Sequence, residues 1–115
     1  MDLRARAALD RAEFTTEGTV AQHATSSYLA TLDLAVVMTR EHRIDVRKQQ
    51  IDSASPVWLI RSLLEPVHEL DLADPYYGDS SEFDQCLATV IQSCRELVPM
   101  LRLEGAPFSA SPPAR

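Results

Sequence analysis

Residues 33–42 read Asp-Leu-Ala-Val-Val-Met-Thr-Arg-Glu-His and contain the longest apolar run of the chain. This run, Leu34–Met38, predicts a strand covered on both faces, because a strand with one exposed face would alternate polar and apolar residues. Thr39 is a favourable N-cap residue and introduces a predicted helix over Arg40–Gln49. A second apolar run at Val57–Ile60 predicts another strand. Strand, helix and strand within about thirty residues predict a parallel βαβ unit with a right-handed crossover.

Helices are predicted on either side of this unit. Residues 2–12 are rich in alanine and begin at Asp2, which can cap a helix. From Ser81 onward a long helix is predicted, and Pro99 should kink or end it near Val98, because proline lacks a backbone N–H. The apolar residues of this helix are spaced alternately four and three apart: Phe83, Leu87, Val90, Cys94, Leu97 and Leu101. The predicted fold is therefore α/β, a partial three-layer arrangement of a parallel sheet flanked by helices.

Composition excludes several classes of function. The 115 residues are 45% hydrophobic with a formal net charge of -6, so neither disorder nor nucleic-acid binding is expected. The longest apolar run is too short to span a membrane. Two cysteines are too few for a disulfide framework, so a reducing cytoplasm is the expected location. His42 and His68 lack the spacing of metal ligands, and we expect no metal or other cofactor.

A family resemblance becomes visible at Asp74-Pro75-Tyr76-Tyr77-Gly78, which resembles the aspartate loop of the low-molecular-weight protein-tyrosine phosphatases. Residues 33–42 resemble the strand-then-helix stretch of the same family, and Asp2–Phe14 resembles the helix that precedes it. The resemblance covers roughly residues 2–102 and implies the phosphotyrosine protein phosphatase I-like fold. An unrelated small α/β domain with a coincidental turn is the alternative.

The resemblance implies a reaction and three site residues. Members of this family hydrolyse phosphotyrosine in proteins through a cysteinyl-phosphate intermediate. Asp74 would be the general acid that protonates the leaving tyrosine oxygen, whose pKa near ~10 disfavours departure as a bare anion. Tyr76 and Tyr77 would bind the substrate by packing on its ring.

The nucleophile of this reaction is missing from the 115 residues. The family uses a Cys-x5-Arg loop between its first strand and first helix to attack and hold the phosphate. The sixth residue after Cys86 is Gln92, and the sixth after Cys94 is Met100, so neither cysteine begins such a loop. We expect both cysteines to be buried and to act as small hydrophobic residues.

The resemblance begins at the family's second helix. We therefore expect residues 1–103 to form a phosphatase-like domain lacking the family's first strand, phosphate loop and first helix. Residues 104–115, with three prolines, are expected to form a disordered tail. The strand at Leu34–Met38 would then have an open edge where self-association or a partner is expected.

Two functional hypotheses follow. In the first, a longer natural product dephosphorylates protein tyrosines and Asp74 is its acid. In the second, the chain is a catalytically dead family relic that acts as a binding or regulatory module. Both hypotheses predict that the 115-residue chain alone hydrolyses no phosphotyrosine.

Overall fold

The computed structural model describes residues 2–18, 20–51, 54–64, 71–72, 74–75 and 78–112. Four α-helices, two strands and one 3₁₀ turn are described in these ranges. In chain order they are α1 (Leu3–Arg11), α2 (Ser26–Leu29), β1 (Ala35–Val37), α3 (Arg40–Gln49), β2 (Val57–Leu59), the 3₁₀ turn Ile60–Leu63 and α4 (Ser80–Glu104).

The two strands pair in parallel, with Ala35 opposite Val57 and Val36 opposite Trp58. Helix α3 connects them and contacts both. Thr39 accepts a hydrogen bond from the first turn of α3, as expected of its N-cap. The predicted βαβ unit and the α/β fold class are therefore confirmed.

The core lies between the sheet and α4. Trp58 is 1% exposed and Leu63 is fully buried, and Val36 packs against the same cluster. Side chains alternate between the faces of a strand, so Val36 and Trp58 share the face that α4 covers. Five residues of α4 belong to this packing surface or are buried beside it: Cys86, Val90, Ser93, Leu97 and Met100.

The buried stripe of α4 is rotated relative to the predicted stripe. Ser93 is fully buried, and its hydroxyl donates to the carbonyl of Thr89 at 2.8 Å. A small side chain that satisfies its own polar group in this way lets the helix approach the sheet closely. Cys94 is exposed instead. An apolar pattern cannot identify a buried serine, and this is why the predicted stripe is displaced.

Helix α4 does not end at Pro99 but continues to Glu104. Because Pro99 has no backbone N–H, the carbonyl of Arg95 lacks its usual helical hydrogen bond. Both residues are exposed, so water can bind this carbonyl. Met100, which follows directly, is 8% exposed and packs in the core. Burial of Met100 on the side of α4 that faces the core keeps the last turns helical.

Helix α1 packs against the first half of α4. Ala8 is 3% exposed, and the guanidinium of Arg4 lies 4.7 Å from the centre of the Phe83 ring. At the other end of α1, Arg11 forms an ion pair of 2.7 Å with Asp84. Exposed ion pairs contribute little, so apolar packing and the cation–π contact hold α1 in place.

Aspartates cap three helix N-termini. Each accepts a hydrogen bond from a backbone N–H of the first turn: Asp2 from Arg4 at 2.7 Å, Asp71 from Arg40 at 2.8 Å, and Asp79 from Glu82 at 3.1 Å. These bonds hold the pKa of each carboxyl below its ordinary value. The largest cause is the Arg4 side chain for Asp2 and the backbone donor for Asp71 and Asp79.

The segment after α4 returns to the core. The ring of Phe108 meets that of Trp58 edge-on, with centroids 5.9 Å apart, and the Trp58 indole N–H donates to the carbonyl of Ser109 at 2.9 Å. A disordered tail, as expected for residues 104–115, would not make these contacts. They arise because a buried indole N–H needs an acceptor, which this segment supplies.

Truncation of Phe108 should therefore destabilise the fold. We expect Phe108→Ala to lower the free energy of unfolding by about 1–2 kcal/mol, because it removes apolar contact and an aromatic pair. Urea unfolding followed by Trp58 fluorescence measures this change. The matched control is Phe14→Ala, since Phe14 is 48% exposed. Equal losses in the two variants would contradict the packing described here.

The capping aspartates predict a pH dependence of stability. Because their folded pKa values lie below the unfolded ones, their contribution is present above about pH 4 and is lost as pH falls further. Asparagine caps equally well without titrating. The triple variant Asp2→Asn, Asp71→Asn, Asp79→Asn should therefore show a weaker decline in urea midpoint between about pH 7 and pH 3. Asparagine at the exposed, non-capping Asp10, Asp33 and Asp45 is the control, and it should leave the decline unchanged.

Candidate functional site

The segment before Asp74 is attached to the carboxyl end of β1. The Leu72 N–H donates to the carbonyl of Met38 at 2.8 Å, and the Leu72 side chain is 9% exposed in the core. Asp71 binds the N-terminus of α3 through Arg40. Asp74 is exposed and lies two residues after Leu72. It is thereby held near the end of the sheet where α/β proteins bind ligands.

Two cavities meet at Asp74. The first, of about 340 Å³, lies between α1 and α4 and is lined mainly by apolar side chains. The second, of about 390 Å³, lies between α4 and the chain that follows β2. Three residues line both cavities: Asp74, Pro75 and Cys86. Asp74 is therefore accessible from two open spaces.

The second cavity has a polar lining that the sequence analysis did not single out. Arg61 lies in it together with Asp71, Glu82 and Asp74. Arg61 lies two residues after the last residue of β2. This position at the carboxyl end of a parallel strand is a signal that could have identified it. Glu82 could not have been identified in the same way, because it belongs to the first turn of α4 and reaches the cavity only through packing.

Cys86 lies beside Asp74 but is poorly suited to nucleophilic attack. Burial raises the pKa of the Cys86 thiol, and the negative charge of Asp74 raises it further. The thiolate is the reactive species, so Cys86 is protonated and unreactive near neutral pH. The interpretation of Cys86 as a packing residue agrees with this environment. For Cys94 the expectation of burial was wrong, since its side chain is exposed.

Tyr76, Tyr77 and His68 lie outside the residues that the structure describes. In the described ranges, no group of three or more histidine, cysteine, aspartate or glutamate side chains could hold a metal ion. In those same ranges, no helix has both the length and the apolar character needed to cross a membrane.

The site can therefore present a carboxylic acid at an accessible cleft. The sequence offers no Cys-x5-Arg loop to attack and hold a phosphate. A family model for low-molecular-weight phosphotyrosine protein phosphatase matches residues 1–106. The chain belongs to this family.

Curated relatives agree with this assignment. The low-molecular-weight protein-tyrosine phosphatases A of Mycobacterium bovis and Mycobacterium tuberculosis are 35% identical over 92 residues. That match covers 77% of this chain and 54% of each relative. The chain thus spans about half the length of the curated relatives it matches.

A solved structure supports the fold. The crystal structure of YfkJ from Bacillus subtilis matches with a TM-score of 0.75 at 19% identity, over 90% of this chain and 65% of that one. At 19% identity this likeness supports the α/β fold of the chain and says nothing about its chemistry.

The environment of Cys86 predicts unequal thiol reactivity. Iodoacetamide should alkylate Cys86 at least about tenfold more slowly than Cys94 at pH 8, because the raised pKa leaves little Cys86 thiolate. Asp74→Asn removes one cause of that shift and should accelerate Cys86 alkylation without affecting Cys94. Peptide mass spectrometry of timed samples measures both rates. If Asp74→Asn leaves the Cys86 rate unaltered, the two side chains do not interact as described.

Proposed function

We propose that this chain carries the acid half of a phosphotyrosine phosphatase site, in which Asp74 protonates the leaving tyrosine oxygen. Its substrates are proteins that contain phosphotyrosine. The observation that carries the proposal is the accessible position of Asp74 at the carboxyl end of the strands, where two cavities meet, in a chain that belongs to this family.

The chemistry requires such an acid. When a thiolate attacks phosphorus, the bond from phosphorus to the tyrosine oxygen breaks, and that oxygen gains negative charge. Since tyrosine has a pKa near ~10, a proton delivered in the transition state accelerates this step, typically by about 10²–10⁴-fold. Asp74 can supply this proton from an exposed position.

The nucleophile and the phosphate-binding groups come from outside these 115 residues. Cys86 is held as the protonated thiol by burial and by Asp74. Three of the charged residues that line the second cavity are acids: Asp71, Asp74 and Glu82. Their negative charge disfavours a phosphate dianion unless further donors are added. Residues 1–103 are accordingly proposed to be a phosphatase domain without its first strand, phosphate loop and first helix.

A second candidate function is that of a non-enzymatic binding module. The observation that favours it is the edge of β1, which has no second strand neighbour among the described residues. A chain of this kind would bind a partner without ever acting on phosphate.

The acid role of Asp74 is tested in a hybrid in which the Cys-x5-Arg segment of an active family member is joined before Asp2. We expect Asp74→Asn to reduce kcat for a phosphotyrosine peptide by about 10²–10⁴-fold. The loss should be much smaller for nitrophenyl phosphate, whose leaving group departs without a proton. Steady-state kinetics on both substrates measures the difference.

The matched control for this test is Asp84→Asn, which removes one carboxylate from the exposed pair with Arg11. This control should leave kcat for both substrates unchanged. The acid role is wrong if Asp74→Asn affects the two substrates equally, or no more than Asp84→Asn does. The 115-residue chain alone should show no turnover of either substrate.

A further inference from the structure

Arg4 extends from the first turn of α1 toward the segment that follows Asp74. Its Nη1 donates to the carbonyl of Gly78 at 3.3 Å, and this contact is partly buried. The two residues are 74 positions apart in the sequence, so the bond connects distant parts of the chain. Nothing in the local pattern of α1 distinguishes Arg4 from Arg6 or Arg11, and the contact becomes visible only in the structure.

Three further contacts fix the orientation of the Arg4 guanidinium. Its Nε and Nη2 donate to the Asp2 carboxylate at 3.3 and 3.1 Å, and its central carbon lies 4.7 Å from the centre of the Phe83 ring. Phe83 is 8% exposed, so the ring is a fixed support. Because a guanidinium is planar and its N–H groups form a rigid fork, these contacts leave Nη1 directed at Gly78.

Gly78 is itself bonded to the residue next to Asp74. The Gly78 N–H donates to the carbonyl of Pro75 at 2.7 Å. Gly78 also packs closely against Glu82, since a Cβ added at Gly78 would overlap the Glu82 side chain. A short path of hydrogen bonds thus runs from Arg4 through Gly78 to Pro75, the neighbour of the acid.

The other end of the segment that carries Asp74 is held by different elements. Leu72 and Asp71 attach it to the end of β1 and to α3. The segment therefore has an anchor on each side of Asp74, and the second anchor belongs to α1. A carboxyl between two fixed points keeps its position, whereas a carboxyl with one anchor would move with the free end of the segment.

We propose that Arg4 is a positioning residue for Asp74. By holding Gly78 in place, Arg4 keeps the Asp74 carboxyl beside Cys86, where Asp74 and Cys86 line the same two cavities. Without the Arg4 fork, the segment would be anchored on one side only. The consequence for catalysis rests on the proposed function, whereas the positioning itself does not.

The Cys86 thiol reports the position of Asp74, because its pKa is raised by burial and further by the charge of Asp74. The rate of iodoacetamide alkylation as a function of pH, followed by peptide mass spectrometry, gives this pKa in the 115-residue chain. The change in the Cys86 pKa caused by Asp74→Asn therefore measures how strongly the two side chains interact. The other acidic side chains lining these cavities, and the Arg61 side chain, stay the same across the comparison: Asp2, Asp71 and Glu82.

We expect Asp74→Asn to lower the Cys86 pKa in the wild-type chain, and to lower it by less than half as much in the Arg4→Met background. Methionine keeps an apolar stem on the Phe83 ring but donates no hydrogen bond. The matched control is Arg11→Met, which removes an equal charge from α1 and breaks the ion pair that α1 forms with α4. In that background Asp74→Asn should have its full effect.

Arg4→Lys distinguishes the guanidinium fork from its charge. Lysine keeps the positive charge, but its ammonium cannot hold Asp2 and Gly78 in the geometry of the guanidinium, so the effect of Asp74→Asn should again be reduced. Circular dichroism and Trp58 fluorescence verify that each variant is folded. The proposal is wrong if Asp74→Asn has no effect in the wild type, or the same effect in the wild type and in Arg4→Met. It is also wrong if Arg4→Lys restores the full effect.

Kinetics of the covalent hybrid separate this proposal from the proposed function. In the hybrid, Arg4→Met should reduce kcat for a phosphotyrosine peptide by up to about 10²-fold, the cost of displacing a catalytic group by about 1 Å, with a much smaller loss for nitrophenyl phosphate. If Arg4→Met reduces the coupling to Cys86 but Asp74→Asn affects both substrates equally, the positioning is supported and the proposed function fails. If Asp74→Asn affects only the phosphotyrosine peptide, but Arg4→Met changes neither the coupling nor kcat, the proposed function stands and the positioning fails.

Discussion

Two hydrogen bonds at the end of β1 determine where the candidate acid lies. The Leu72 N–H donates to the carbonyl of Met38, the first residue beyond the strand, and Asp71 accepts from the first turn of α3. Together they attach the chain after the 3₁₀ turn to the carboxyl end of the sheet, and burial of Leu72 anchors it. Asp74 is exposed and yet held near this end because its neighbours are fixed.

The electrostatics of the cavity beside Asp74 are unfavourable for a phosphate anion and for a thiolate. Asp71, Asp74 and Glu82 share one cavity with Arg61, and the thiol of Cys86 has its pKa raised by burial and by Asp74. A phosphate-binding loop supplies backbone N–H donors and an arginine, and so reverses this unfavourable potential. The described residues thus give this cavity a mainly acidic lining, which disfavours a phosphate dianion unless further donors are added.

Helix α4 connects the core to helix α1. Its buried stripe closes the core over Trp58, and its N-terminal half holds α1 through Phe83. A further row of apolar residues remains partly or well exposed: Leu87, Ile91, Cys94, Val98 and Leu101. One helix thus stabilises the core and holds α1 in place. The rotation that buries Ser93 also leaves Cys94 and Val98 exposed.

Local signals in the sequence determined much of the fold: the apolar runs of β1 and β2, the caps at Asp2 and Thr39, and the acid-bearing Asp74-Pro75 segment that carries the family resemblance. Each depends on neighbouring residues or on periodicity. Only the tertiary structure decided that α4 buries Ser93, that α4 continues past Pro99, that Phe108 covers Trp58, and that Arg61 and Cys86 join Asp74. These features depend on contacts between distant segments, whose packing overrides local propensity and apolar pattern.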